Sequence, residues 1–267
     1  MDDALHVILG AYPAATLAAA FLKANLVAAV VVLAVAPVRL AARRAFGPAA
    51  AYHLWLLPAA AGFLALIVDL ARPHTDPAIF AVSPALPAAW VVGALAMAAM
   101  FAVAQMRFLA EARAGRGGPA VVGFISPVIV MPADDGRYTA AERDLIRAHE
   151  REHVARKDSR AAAFVALAQC LCWFNPLVHL AAYLIRLDQE LACDAAVVRS
   201  RPAARALYAR TLLKTQLAGS PLPLGCHWSP LGQHPLEVRI ASLKRTSKKP
   251  SGAGGTFAAA SVNAIRP

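Results

Sequence analysis

Long apolar runs, not alternation or a heptad repeat, dominate the first hundred residues of the chain. A helix that crosses a bilayer takes about 20 mostly apolar residues. Four stretches reach that length: Tyr12 to Ala36, Gly47 to Val68, Pro77 to Met106 and Ala161 to Ile185. The first carries Lys23 and Asn25, which are costly in lipid and predict contacts with other helices, a polar cavity or a snorkelling side chain. Downstream of the third run the pattern changes. Gly115–Gly118 reads as a flexible exit, and Val121–Met131 as a strand or bent edge strand. Thr139 with Glu142 forms a capping box that opens a helix running to about Lys157.

Placement of Lys and Arg then orients the runs. Arg39, Arg43 and Arg44 lie between the first two, and Arg107, Arg113 and Arg116 follow the third; the second connection holds Arg72 beside Asp69 and Asp76. The expected topology has the N-terminus outside and everything after about residue 108 cytoplasmic, in the inner (plasma) membrane of the cell. Asp2 and Asp3 ahead of a long apolar run argue against a cleavable leader. Composition agrees: of 267 residues 59% are hydrophobic and 16% charged, against roughly 45–50% and 25% in soluble domains. The net charge of +11 follows the inner face of the membrane, and no recognition motif points to nucleic acid. Four cysteines without secreted-framework spacing suit a reducing compartment.

The chemistry is concentrated in His149-Glu150-Arg151-Glu152-His153. Residues four apart share a helix face, so both imidazoles can reach one ion. Zinc suits two neutral imidazoles and a third protein ligand, with a position left for water. Glu150 is then the candidate general base. The third ligand is sought in Glu190-Leu-Ala-Cys193-Asp194, on a helix beginning near Pro176. Glu190 is the leading choice and Cys193 its rival. Asp194, on the face of Glu190, is expected to orient a ligand histidine through its free ring nitrogen. This pairing bears on the fourth apolar run. A single crossing from Ala161 to Ile185 would put the histidines and Glu190 on opposite sides of the bilayer. Asn175-Pro176 breaks the helix, so the segment reads as an αα-hairpin that packs into the domain core or dips into the bilayer. His179 on its second arm reads as a packed or hydrogen-bonded histidine.

The combination of three spans, "SPVIVMP" (Ser126–Pro132), "TAAERDLIRAHEREHVARKD", "WFNPLVHLAAYLIRLDQELACD" and "HPLEVRI" (His234–Ile240) resembles the BlaR/MecR-type membrane metallopeptidases. These belong to the gluzincin group, with the HtpX and Ste-type membrane proteases more distant. The resemblance covers nearly the whole chain to about residue 245. It implies zinc (Zn2+) held by His149, His153 and Glu190, with Glu150 catalytic and Asp194 supporting a ligand histidine. It also implies an edge strand that aligns a substrate peptide by strand addition. The expected fold is mostly α: a three-helix membrane module over 1–115, a cytoplasmic α+β gluzincin-like domain with a short edge strand or hairpin over 116–245, and a flexible tail over 246–267. The best-studied members continue through a fourth membrane helix into an extracellular sensor; 246–267 has neither, so the signal is expected from a partner, from self-association or from the outer loop, unless the chain is truncated.

The implied activity is a zinc endopeptidase cleaving a cytoplasmic protein, such as a transcriptional repressor or the protease itself, in regulated proteolysis. Tyr208 and His227 are candidates for stabilising an oxyanion. Two further readings stay open: a non-catalytic membrane receptor or scaffold with a structural metal site, and a quality-control protease like the HtpX relatives.

Overall fold

The structure is a computed structural model describing residues 14–71, 85–217 and 235–245. The expected tail at 246–267, the start of the first run at Tyr12, the beginning of the third at Pro77, and His227 lie outside the described residues.

Nine α-helices and one two-stranded sheet make up the described residues. In chain order they are α1 (Ala14–Phe46), α2 (Pro48–His53), α3 (Leu56–Leu70), α4 (Ala85–Arg113), β1 (Ala120–Val122), β2 (Val128–Val130), α5 (Ala140–Ala155), α6 (Asp158–Leu171), α7 (Pro176–Ser200), α8 (Arg205–Leu217) and α9 (Pro235–Arg245). Three helical segments are long and apolar enough to cross a membrane: Thr16–Phe46, Pro48–Leu70 and Leu86–Arg113. Of the third, only 6% of the most apolar window is buried inside the protein, so its apolar surface faces outward.

The first run is longer than the sequence pattern indicates. Pro37 sits inside α1, and the helix continues beyond Ala36 to Phe46. A proline costs a helix one backbone hydrogen bond, but packing compensates here, because the extra turns carry Arg39 to a buried partner on α7. Gly47 then reverses the chain at φ 91, a left-handed conformation that favours glycine, and Pro48 starts α2 at its first position. The second run is broken into α2 and α3 around Leu54 and Trp55. The two polar residues in the first run find partners: Lys23 Nζ lies 2.9 Å from Asp69 of α3, and Asn25 accepts from the Asn175 amide.

The segment Val121–Met131, read as a strand or bent edge strand in a domain expected to hold a short edge strand or hairpin, is a hairpin. Ala120 pairs with Val130, Val121 with Ile129 and Val122 with Val128, all antiparallel. Gly123 enters the turn at φ 106, where an added Cβ would come within 2.5 Å of the Ser126 carbonyl oxygen, so a larger residue would force the loop open. The capping box of α5 forms as its sequence indicates, with Thr139 accepting from the Glu142 backbone and the Glu142 carboxylate accepting from that of Thr139. Ala161–Ile185 is likewise two helices, joined across 172–175, with the Asn175 side chain capping α7. His179 bonds Gln169 and the Trp173 carbonyl.

Helix α7 unites the molecule. Its 25 residues extend about 37 Å at 1.5 Å per residue. The first half buries Ala181 and Leu184 against Val32, Val35 and Trp55 of the apolar helices. The second half buries Val197 and Val198 against Leu145 of α5, Tyr208 and Leu212 of α8, and Leu243 of α9. Each such aliphatic side chain contributes about 1.5–3 kcal/mol when fully removed from water. The end of α7 that carries Glu190 is therefore fixed between α5, α8 and α9.

Candidate metal centre

Helix α5 presents His149 and His153 one turn apart, and their Nε2 atoms lie 3.1 Å from each other. Glu190 of α7 approaches both, with Oε2 3.3 Å from His149 Nε2 and Oε1 3.5 Å from His153 Nε2. A tetrahedral ion bonded at about 2.0–2.1 Å holds its ligand atoms about 3.3 Å apart. The three donors already have that spacing. They are a group able to hold a metal ion.

The far nitrogen of each ring is fixed. His153 Nδ1 lies 2.8 Å from Asp158 Oδ2. Donation to that carboxylate leaves the Nε2 lone pair pointing at Glu190, the tautomer a metal requires. Asp158 reaches back because Lys157, between α5 and α6, adopts φ 59 and turns the chain sharply. A left-handed lysine costs about 1 kcal/mol or more, and here the turn delivers a carboxylate to the ring. His149 Nδ1 meets the Tyr208 hydroxyl at 2.9 Å, and that hydroxyl donates to Asp194 Oδ1 at 2.5 Å. Asp194 itself stands 3.5 Å from His149 Nδ1, so its principal hold on the ring runs through Tyr208. Tyr208 is buried behind the ring, away from the side facing Glu190, and its position suits orientation of His149 and not contact with a substrate carbonyl.

Arg239 of α9 closes the cluster. Its Nε and Nη2 donate to the two oxygens of Asp194, each at 2.8 Å, while Nη1 lies 2.9 Å from Glu190 Oε2. Burial alone would push the Glu190 carboxyl up; Arg239 and the two histidines outweigh it and hold the group well below its ordinary range. Glu190 is thus a carboxylate whenever the site could take a cation. Burial pushes the Glu150 carboxyl up, against the pull of the histidines, which favours its taking a proton. Tyr208 is driven well above its ordinary range by burial and by Asp194, and keeps its proton to donate.

Cys193, the rival ligand, stands behind His153. Its sulfur is 3.4 Å from Nδ1 and 3.6 Å from Asp158, on the opposite side of the ring from Glu190. Together with His153 and Asp158 it forms a second possible donor group. Burial pushes its thiol up to about 11, so the thiolate that binds metals is scarce at neutral pH.

Sequence reasoning gave no role to Asp158 or Arg239. Asp158 stood in a run of charges, and its signal is the distance of five residues from His153, which needs the tight turn at Lys157 to matter. Arg239 lay within the quoted "HPLEVRI", where a lone Arg among apolar neighbours on a helix hints at a buried acidic partner.

Burial disfavours charge on His153, but Asp158, Cys193 and Glu190 together raise its pKa well above 6.5. Its proton therefore competes with a metal to higher pH than an ordinary histidine's would. Metal affinity, measured against a competing chelator, is expected to rise up to tenfold per pH unit through and above pH 6.5. Asp158→Asn is expected to lower the limiting affinity by roughly 10–100-fold and bring the plateau to lower pH. Affinity independent of pH, or an unchanged profile in the variant, would contradict this assignment.

Three helices apolar enough to cross a membrane thus share one chain with a histidine–glutamate donor group able to hold a metal ion. A family described as BlaR1 peptidase M56 matches residues 69–243, more than half of the chain, and the chain belongs to that family. Over 82 residues, 31% of its length, it is 34% identical to "Regulatory protein BlaR1" of Bacillus licheniformis. The match spans 14% of that relative.

Proposed function

We propose that this protein is a multi-pass membrane zinc endopeptidase that cleaves a cytoplasmic protein in regulated proteolysis. In this reading residues 1–115 are the membrane module with the N-terminus outside, and 116–245 carry the peptidase on the cytoplasmic side. The observation that carries it is the meeting of His149, His153 and Glu190 at ion-binding distances beside the buried Glu150. Zinc would be held by those three residues, where it supplies polarisation of the scissile carbonyl and acidification of a water. Glu150 takes the proton of the attacking water and delivers it to the leaving amine. Asp194 and Tyr208 hold His149 in orientation, and Asp158 does the same for His153. The name of the Bacillus relative supports a regulatory role; a repressor or the protease itself is the substrate class proposed here.

The test is a comparison of cells making wild-type and Glu150→Gln protein. Self-cleavage and the cytosolic fragments seen by mass spectrometry are expected to vanish in the variant, a loss of about 10²–10⁴ in rate for a removed acid–base group, with bound zinc retained. Identical fragment patterns would overturn the peptidase reading.

A further inference from the structure

We propose that the hairpin formed by α6 and the first half of α7 is a re-entrant membrane element, with lipid acyl chains against its exposed apolar face. It enters and leaves on the side where the donor cluster lies. This rests on the reading that the apolar helices cross a bilayer.

Depth is fixed by two independent rulers. Along α1 and α7, Asn175 pairs with Asn25 and Asp188 with Arg39. Fourteen residues of α1 and thirteen of α7 separate these levels, about 20 Å on each helix. The hairpin tip therefore stands about 20 Å beyond the arginine level, well within a hydrocarbon core of about 30 Å. The second ruler is α4. Trp90 donates to the Leu171 carbonyl at 2.8 Å, and Trp173 donates to the Trp90 carbonyl at 3.2 Å. Trp90 lies seventeen residues, about 25 Å, from Arg107 on the same helix. The Trp173 ring also rests on the backbone of Gly93, where an added Cβ would fall 2.1 Å from it. Helix α4 packs on α6 more than on any other helix among the described residues, so a membrane-spanning α4 places the hairpin at bilayer depth.

The chemistry of the hairpin suits that location. From Ala161 to Ile185 it has no Asp, Glu, Lys or Arg, and Arg160 and Arg186 bracket its base. Phe164, Leu167, Leu171 and Phe174 form an exposed stripe along α6 and the tip, extended at the base by Phe124 and Ile125 of the β-hairpin turn. Phe124 meets Phe164 edge-on at 6.4 Å. Irregular backbone at membrane depth must have its polar groups satisfied within the protein. The carbonyls of Leu171, Cys172 and Trp173 accept from Trp90, the Asn175 backbone and His179 respectively. The polar side chains do the same for one another: Gln169 with His179, and Asn175 with Asn25.

The experiment uses the wild-type full chain reconstituted in phosphatidylcholine vesicles containing a diazirine-bearing phospholipid. After photolysis, adducts are mapped by peptide mass spectrometry. Adducts are expected on 164–174 and on α4, with few on α8, whose Leu213 is also exposed. Adducts on α4 with 164–174 no more labelled than α8 would overturn the hairpin proposal alone. Labelling of neither would overturn the membrane reading of the apolar helices as well. Both results are independent of zinc content and of cleavage, which test the peptidase reading.

Discussion

Glu190→Ala is expected to strip the protein of its metal. Wild-type protein purified from zinc-supplemented cells should carry one equivalent per chain, and the variant a small fraction of that. The loss is large because Glu190 is the only carboxylate within 3.5 Å of both Nε2 atoms among the described residues. Two imidazoles alone leave the ion without a charged ligand. The vacancy also frees Nη1 of Arg239, which lies 2.9 Å from Glu190 Oε2, and a guanidinium left with Asp194 alone to balance it would repel the ion more strongly. Metal analysis alongside a circular dichroism spectrum checks the result. One equivalent retained in a folded variant would remove Glu190 from the site.

The second large effect is expected in the buried ion cluster that joins the apolar helices to α7. Asp188 is fully buried and accepts from Arg39 at 3.0 and 3.1 Å and from Trp55 at 2.8 Å, with Arg43 at 3.6 Å. Removing one member of a buried pair strands the other charge, at a cost of about 3–5 kcal/mol, whereas replacing both by apolar residues is often neutral. Asp188→Ala is therefore expected to lower the melting temperature in detergent sharply, with poor recovery from membranes. The double variant Arg39→Met, Asp188→Leu should regain most of the loss. A single variant as stable as wild type would show that the cluster does not hold α1 to α7. The neighbouring Gln189 adds a weaker tie, donating to the Tyr52 hydroxyl at 3.2 Å.

Local signals in the sequence were the legible ones. The four-residue spacing puts His149 and His153 on one face whatever surrounds them. Thr139 and Glu142 cap α5 through bonds within one turn, and Asn175-Pro176 breaks a helix by local sterics. At Val121–Met131 the signal was again local: glycine and proline turn the chain between Val122 and Val128, giving the hairpin of the expected edge strand or hairpin. Where long-range packing decides, the pattern was silent or misleading. The helix through Pro37 persists because Arg39 has a partner 149 residues away. The support of His153 by Asp158 depends on a left-handed Lys157, a conformation no propensity favours. Likewise Tyr208 stands between Asp194 and His149 only because α8 packs on α5 and α7.

The convergence of two imidazoles and the Glu190 carboxylate on one cation is tested most directly by X-ray absorption at the zinc edge, on zinc-loaded Glu150→Gln protein. The account predicts a shell of nitrogen and oxygen at about 2.0–2.2 Å, with two imidazoles and no sulfur. A sulfur neighbour at about 2.3 Å would hand the ion to Cys193 and the group behind His153, and would contradict it.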